Sequence, residues 1–197
     1  TVYDSLDSIY SITIDNGGSR FSNSDTLIVT PTIIANVTTG SFSNGEYITN
    51  GTANLQIIGI DSTTLSNSSQ IILTLKPRDT DLANATVNST AWTISNNDSI
   101  VNISNTVTAT VEGLIGSGLS GSIKTNAIGK IVQISITDQG SNYTKIPNIR
   151  VKSANNTTGL SSLVLTAKNY LSKIIVSDVA NSVGDGYAFG VSEGVIY

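Results

Sequence analysis

The sequence contains no cysteine, no histidine and no methionine. Without cysteine there is no disulfide framework and no thiolate chemistry. Without histidine the commonest general base and the commonest metal ligand are both missing. The lack of methionine is odd for a complete translation product, and points either to a processed N-terminus or to a segment beginning at Thr1 of a longer chain. Charge is also scarce, at 12% of residues, about half the usual share. With 10 basic against 14 acidic side chains, a net charge of −4 and no basic cluster, the chain lacks the positive footprint that nucleic-acid binding needs. No apolar run approaches the ~20 residues that span a membrane, and no signal-peptide pattern is visible.

Serine, threonine and asparagine fill the space that charge leaves, giving the neutral polar surface of a protein held in an assembly or outside a cell. At 197 residues the chain can form one large β domain or two small ones, each with a core. One phrase is written twice without a gap. Ile12, Ile14, Gly18, Ser19, Phe21, Leu27 and Val29 match Ile134, Ile136, Gly140, Ser141, Tyr143, Ile149 and Val151. The alternating isoleucines share one face of a half-buried strand. The glycine takes the positive φ of a reversal, and Ser141 and Asn142 suit a turn. Each copy therefore reads as a β-hairpin with its aromatic folded over the turn. A blurred third copy spans 174–187, with Gly186-Tyr187 at its turn.

Strand-like runs separated by turn residues continue along the chain, at 26–35, 53–60 and 70–76. Asn50-Gly51 is a two-residue hairpin signal. Residues 78–90 are the least strand-like, Trp92 and Ile94 open a further strand, and 160–167 and 171–179 add two more. Strands at roughly 8–12-residue spacing indicate an all-β chain of short antiparallel strands, in one or two sandwich- or barrel-like modules with little helix. The glycine-rich residues 113–121 suit a linker. They divide the chain into a module at 1–115, containing the first copy, and one at 116–197, containing the second. The apolar strand-like ends at Val2-Tyr3 and Val195-Ile196-Tyr197 are expected to pair with β structure from outside the segment.

Candidate chemistry is thin. Asp79-Thr80-Asp81 lacks the dense carboxylates and spaced glycine of a calcium loop, and reads as a solvated turn. Glu46, Glu112 and Glu193 sit in turn-like or terminal contexts, with nothing to make two of them a glycosidase pair. The many hydroxyl side chains have no histidine to activate them. No catalytic, cofactor or metal residue is assigned, and the chain is expected not to be an enzyme. Asn-x-Ser/Thr triplets occur at Asn36, Asn50, Asn67, Asn84, Asn88, Asn97, Asn102, Asn142, Asn155 and Asn156. Composition accounts for them, although in a secreted protein they mark glycosylation. Trp92, Phe21, Tyr143 and Tyr187 suit either sugar stacking or, more in keeping with their repeated placement, plugging a β layer.

The repeated phrase resembles one found in structural proteins of tailed bacteriophages, especially marine T4-like phages of cyanobacteria: Ile-x-Ile-x-Asn-Gly-Gly-Ser-Gly-Tyr followed by Pro-x-Val-x-Val. Here it stands as residues 12–21 and 134–143, with Pro147 in place. Residues 40–53 (GSFSNGEYITNGTA) and 189–197 (FGVSEGVIY) resemble further phrases of the same virion proteins. Arg20 and Asn142 replace the usual glycine, which implies stiffer or differently shaped turns. The resemblance implies a non-enzymatic component of the tail, baseplate or fibre-attachment region, located in the virion. Its partners would be copies of itself, as a homotrimer or other homo-oligomer, and neighbouring structural proteins, without nucleic acid or a membrane span. A cell-surface filament subunit, assembled by donating the strand at 1–16 and glycosylated on its Asn-x-Ser/Thr triplets, is the alternative. A carbohydrate-binding module contacting glycan through Trp92 is the weaker third.

Overall fold

The computed structural model describes residues 6–62, 69–104, 106–171, 191–192 and 195–196. In chain order the elements are β1 (Leu6–Gly17), β2 (Thr26–Val29), β3 (Thr32–Thr39), β4 (Tyr47–Thr49), β5 (Asn54–Asp61) and β6 (Gln70–Pro77). Helix α1 (Asp79–Ala83) and a single 3-10 turn (Ser89–Trp92) follow, then β7 (Ser99–Asn102), β8 (Thr108–Ile115), β9 (Ser117–Thr125), β10 (Ile131–Ser141) and β11 (Ile149–Lys152). Helix α2 (Thr157–Ser162) leads straight into β12 (Leu163–Leu171), and β13 (Val191–Ser192) pairs with β14 (Val195–Ile196). The chain is all-β with little helix, as the spacing of its apolar runs and turns predicts.

Strands β3 to β8 close into a six-stranded barrel in the order β3-β6-β5-β4-β7-β8. Three consecutive neighbours, β4, β5 and β6, with β3 returning beside β6, make a Greek key. Alternation fills its interior: Ile33 and Ala35 from β3, Leu55 and Ile57 from β5, Leu73 and Leu75 from β6, and Ala109 and Val111 from β8 are all buried. Each of the larger ones contributes about 1.5–3 kcal/mol by leaving water. The β4–β5 connection is a four-residue loop at 50–53, longer than the two residues that Asn50-Gly51 suggests. The Asn50 carboxamide oxygen accepts from Thr52 N and Ala53 N, and so extends the turn.

Three further antiparallel pairs are made by β1, β2 and β9 to β12. β1 pairs with β12, β10 with β9, and β2 with β11, all antiparallel. β1 and β2 precede the barrel, whereas their partners follow it. Residues 113–121 lie within β8 and β9 and are interrupted only at Gly116.

Three local expectations are corrected. Neither copy of the repeat is a hairpin, because its two strands pair with other strands and not with each other. The connections at 18–25 and 142–148 exceed the 2–5 residues of a hairpin loop, and each buries its aromatic, Phe21 or Tyr143. Trp92 ends a 3-10 turn and does not start a strand. The Asn88 side chain accepts from Thr90 N at 3.0 Å and holds the chain in that turn. Likewise residues 157–162 are helical, capped by Asn156 accepting from Gly159 N at 3.0 Å, so the strand at 160–167 begins only at Leu163. The third copy at 174–187, Glu193, Asn67, Val2-Tyr3 and Tyr197 lie outside the described residues, while Val195-Ile196, expected to pair with β structure from outside the segment, pairs with Val191-Ser192.

Candidate functional site

The two copies of the phrase are related by an internal twofold axis. Every residue of the first corresponds to the one 122 positions later, as Ile12 to Ile134 and Phe21 to Tyr143. In the β2–β11 ladder Leu27 faces Val151, Val29 faces Ile149, and Ile28 faces Arg150. Ile28 and Arg150 are each other's counterparts, so the axis passes through that pair.

The flanking strands obey the same axis. β1 faces β12 through Ile12–Ala167, Thr13–Thr166 and Ile14–Leu165, while β10 faces β9 through Ile134–Ile123, Ser135–Ser122 and Ile136–Gly121. The register shifts fall at matching places, between Ile14 and Asn16 and between Ile136 and Asp138. β12 thus stands to β1 as β9 stands to β10. Each half is a three-stranded unit whose second and third strands carry the phrase.

The turns match atom for atom in their main features. Gly18 has φ 59° and Gly140 has φ 64°. Asn16 Oδ1 accepts from Gly18 N at 3.0 Å, and its counterpart Asp138 Oδ1 accepts from Gly140 N at 2.8 Å. A Cβ on Gly18 would lie 2.6 Å from the Phe21 ring, and one on Gly140 would lie 2.7 Å from the Tyr143 ring. The aromatic is therefore laid directly on its turn glycine in both copies, which explains the invariant spacing between them. Arg20 and Asn142 have φ 62° and 60°. The Arg20 side chain is strained in that left-handed region, whereas asparagine tolerates it.

Both rings are buried, and Tyr143 is only 2% exposed. Leu119 N donates to the Tyr143 hydroxyl oxygen at 3.3 Å. Burial pushes the Tyr143 phenol above its ordinary pKa, opposed by the Leu119 bond and assisted by the nearby charge of Asp138.

Where the axis breaks down, a polar clamp appears. Arg150, 7% exposed, donates to Leu163 O at 3.1 Å and to Leu160 O at 2.8 Å, and pairs with Asp79. Asp79 also meets Lys76 at 3.7 Å. Lys152 donates to Asp81 O at 3.1 Å and to Asn84 O, with its ammonium 5.7 Å from the Trp92 ring centre. Burial lowers the Lys152 pKa, against the charge of Asp81. The Asp79 carboxylate and the backbone carbonyls of Asp81 and Asn84 thus tie α1 and its C-terminal end to β11.

A cleft of about 370 Å³ lies on the other side of β2, walled by residues 27–31 and 115–119 and floored by Trp92 and Tyr143. Trp92 is 8% exposed, so it offers an edge and no open face. Of the carboxylates weighed in the sequence, Glu46 and Glu112 are engaged separately. Glu46 accepts from Asn102 Nδ2 at 2.7 Å, and Glu112 accepts from Asn36 Nδ2 at 2.9 Å and from Gln70. Among the described residues no three acidic side chains come together as a cation site.

Asparagine has structural tasks that its triplets conceal. Asn97, Asn142 and Asn155 hold positive φ, a region asparagine tolerates. Asn102 and Asn156 are buried and bonded to backbone on both sides of their loops. Neither presents its amide to a glycosylating enzyme in the folded chain. Asn84, Asn88, Asn97, Asn142 and Asn155 are exposed.

Comparison with family models, with curated proteins and with solved structures finds no match for this chain in any of the three.

Proposed function

We propose that the chain is a non-enzymatic structural component of a tailed-bacteriophage particle, in its tail, baseplate or fibre-attachment region. It acts there as a homo-oligomer among neighbouring structural proteins. The observation that carries this reading is the use made of the repeated phrase. In both copies its isoleucines, turn glycine, aromatic and returning strand occupy equivalent places about one axis. The phrase resembling virion proteins is thus the architectural unit of this module and not a chance spelling. A rigid β framework with separately engaged carboxylates suits work done by shape.

A cell-surface filament subunit is the second reading, favoured by the exposed asparagines of Asn84, Asn88, Asn97, Asn142 and Asn155 in glycosylation triplets. The sugar-binding reading is weakened by the burial of Trp92, Phe21 and Tyr143. Quantitative mass spectrometry of purified phage particles separates the first two. Peptides of this chain at a fixed copy number per particle, unglycosylated, are the expected result. Peptides found instead in a cell-surface fraction, carrying hexose on several of those asparagines, would replace the virion reading with the filament.

A further inference from the structure

We propose that the β1–β12 pair is an exchange seam, through which β1 of one copy of this chain completes β12 of a second copy. The inference deepens the assembly reading above and rests on it for its setting in a particle.

The internal twofold exposes an asymmetry of connection. In the second half, β9 runs into β10 through residues 126–130, so the ladder between them is closed by a short covalent loop. In the first half the same place is taken by β12, which follows α2. The barrel and the whole second half stand between β1 and its partner in the sequence. No described loop joins the two strands, yet their register repeats that of β9 and β10, irregularities included. The β12 of any copy therefore presents the same edge to any β1.

The connection on the other side of β1 favours opening. Residues 18–25 join it to β2 and include Arg20 at φ 62°, a left-handed conformation adopted at a cost by a residue with a Cβ. Strain in a connecting loop promotes exchange, because the exchanged form releases it while keeping the contacts that the exchanged strand makes; the bond from Phe21 N to Gly129 O at 2.8 Å holds the far side of the connection in place. Those contacts include the ladder to β12, the hydroxyl of Thr166 donating to Asp15, and the packing of Gly17 beneath the Ile131 carbonyl. A second copy supplies each of them identically. The remaining cost is that of association, which crowding of identical subunits in an assembly lowers.

The test uses the whole chain, whose freedom from cysteine makes every introduced thiol unique. Thr13 faces Thr166 in the seam, and their counterparts Ser135 and Ser122 face each other in the covalently closed half. Thr13→Cys/Thr166→Cys and Ser122→Cys/Ser135→Cys are each refolded at high concentration and bridged with a short bis-maleimide. The seam pair is expected to give chains linked to one another, and the hairpin pair only internally bridged monomers. As a second measurement, single variants Thr13→Cys and Thr166→Cys are refolded together and bridged. Mixed dimers are expected, and adding Arg20→Gly to both should lower their yield several-fold. Seam pairs bridged only within one chain, with no mixed dimer from the single variants, would overturn the exchange. If peptides of this chain were still found in particles, the virion reading would survive that failure.

Discussion

Replacing Arg150 by methionine removes the charged clamp and keeps most of the aliphatic stem, so little is lost in packing. The guanidinium satisfies the carbonyls of Leu160 and Leu163, and both bonds are buried. Leaving a buried carbonyl unpaired costs about 1–3 kcal/mol; Leu160 O keeps its capping bond from Leu163 N, so Leu163 O is the one exposed to that loss. Against this, the variant no longer has to desolvate a guanidinium, one whose Nε has no partner even in the native chain. Asp79 keeps Lys76 at 3.7 Å and is about a quarter exposed, so its charge is not stranded. The balance is a loss of about 1–3 kcal/mol, nearer the lower figure if water reaches the Leu163 carbonyl. Urea denaturation reads it as a lower midpoint at constant slope. Asp79→Asn alone should cost less, and the double variant should show coupling of about 1 kcal/mol or below, because the pair is partly solvated. Arg150→Met within about 0.5 kcal/mol of the parent, the range of an ordinary surface change, would refute the clamp.

Arg20→Gly should stabilise the chain by about 0.5–1 kcal/mol. It relieves about 1–2 kcal/mol of left-handed strain and gives back part of that to the freer unfolded chain. Asn142→Gly should be near neutral by the same denaturation assay, since asparagine tolerates that region. Gly140→Ala adds a Cβ 2.6 Å from Leu119 N and 2.7 Å from the Tyr143 ring at positive φ. It should cost about 3 kcal/mol or more, strain and overpacking together, and an unchanged midpoint would show that the turn is not as described. Tyr143→Phe tests the buried phenol. The folded pKa is raised, so the unfolded chain releases its proton first, near pH 10, and the parent loses stability as pH climbs from there through the folded value. The variant lacks that loss. Lys152, shifted down, acts in the opposite sense over the neighbouring range in both proteins and cancels in the difference. Parent and variant changing in parallel from pH 8 to 11 would contradict the raised pKa.

The repeat was legible because its meaning is local. Ile12-x-Ile14 and Ile134-x-Ile136 mark strands by alternation, and Gly18 and Gly140 mark turns by the conformation that only a residue without Cβ takes freely. The pairing was not legible. A strand's alternation states which face is buried and is silent on which edge is bonded, so a hairpin and the observed β2–β11 ladder share one spelling. Barrel closure is hidden for the same reason: β3 joins β6 and β8 across long stretches of sequence. Trp92 looked like the start of a strand because its apolar neighbours were counted, whereas the cap from Asn88 decided the backbone. The asparagine triplets are the reverse case. They read as glycosylation or as composition, and the structure gives many of them a turn, a cap or a left-handed φ. Arg150 carried no signal at all, since an arginine between Ile149 and Val151 is in sequence an outward-facing residue of an alternating strand.

The central claim is that the two copies of the phrase meet each other about an axis through Ile28 and Arg150. Thr30 N bonds Asn148 O at 2.9 Å, which puts Leu27–Val151 and Val29–Ile149 at the closely spaced positions of the ladder. Isotope-labelled protein should therefore show strong Hα–Hα nuclear Overhauser effects between Leu27 and Val151 and between Val29 and Ile149. Cross-strand effects linking β1 to β2, or β10 to β11, with none between the copies, would mean two separate hairpins and would contradict the account.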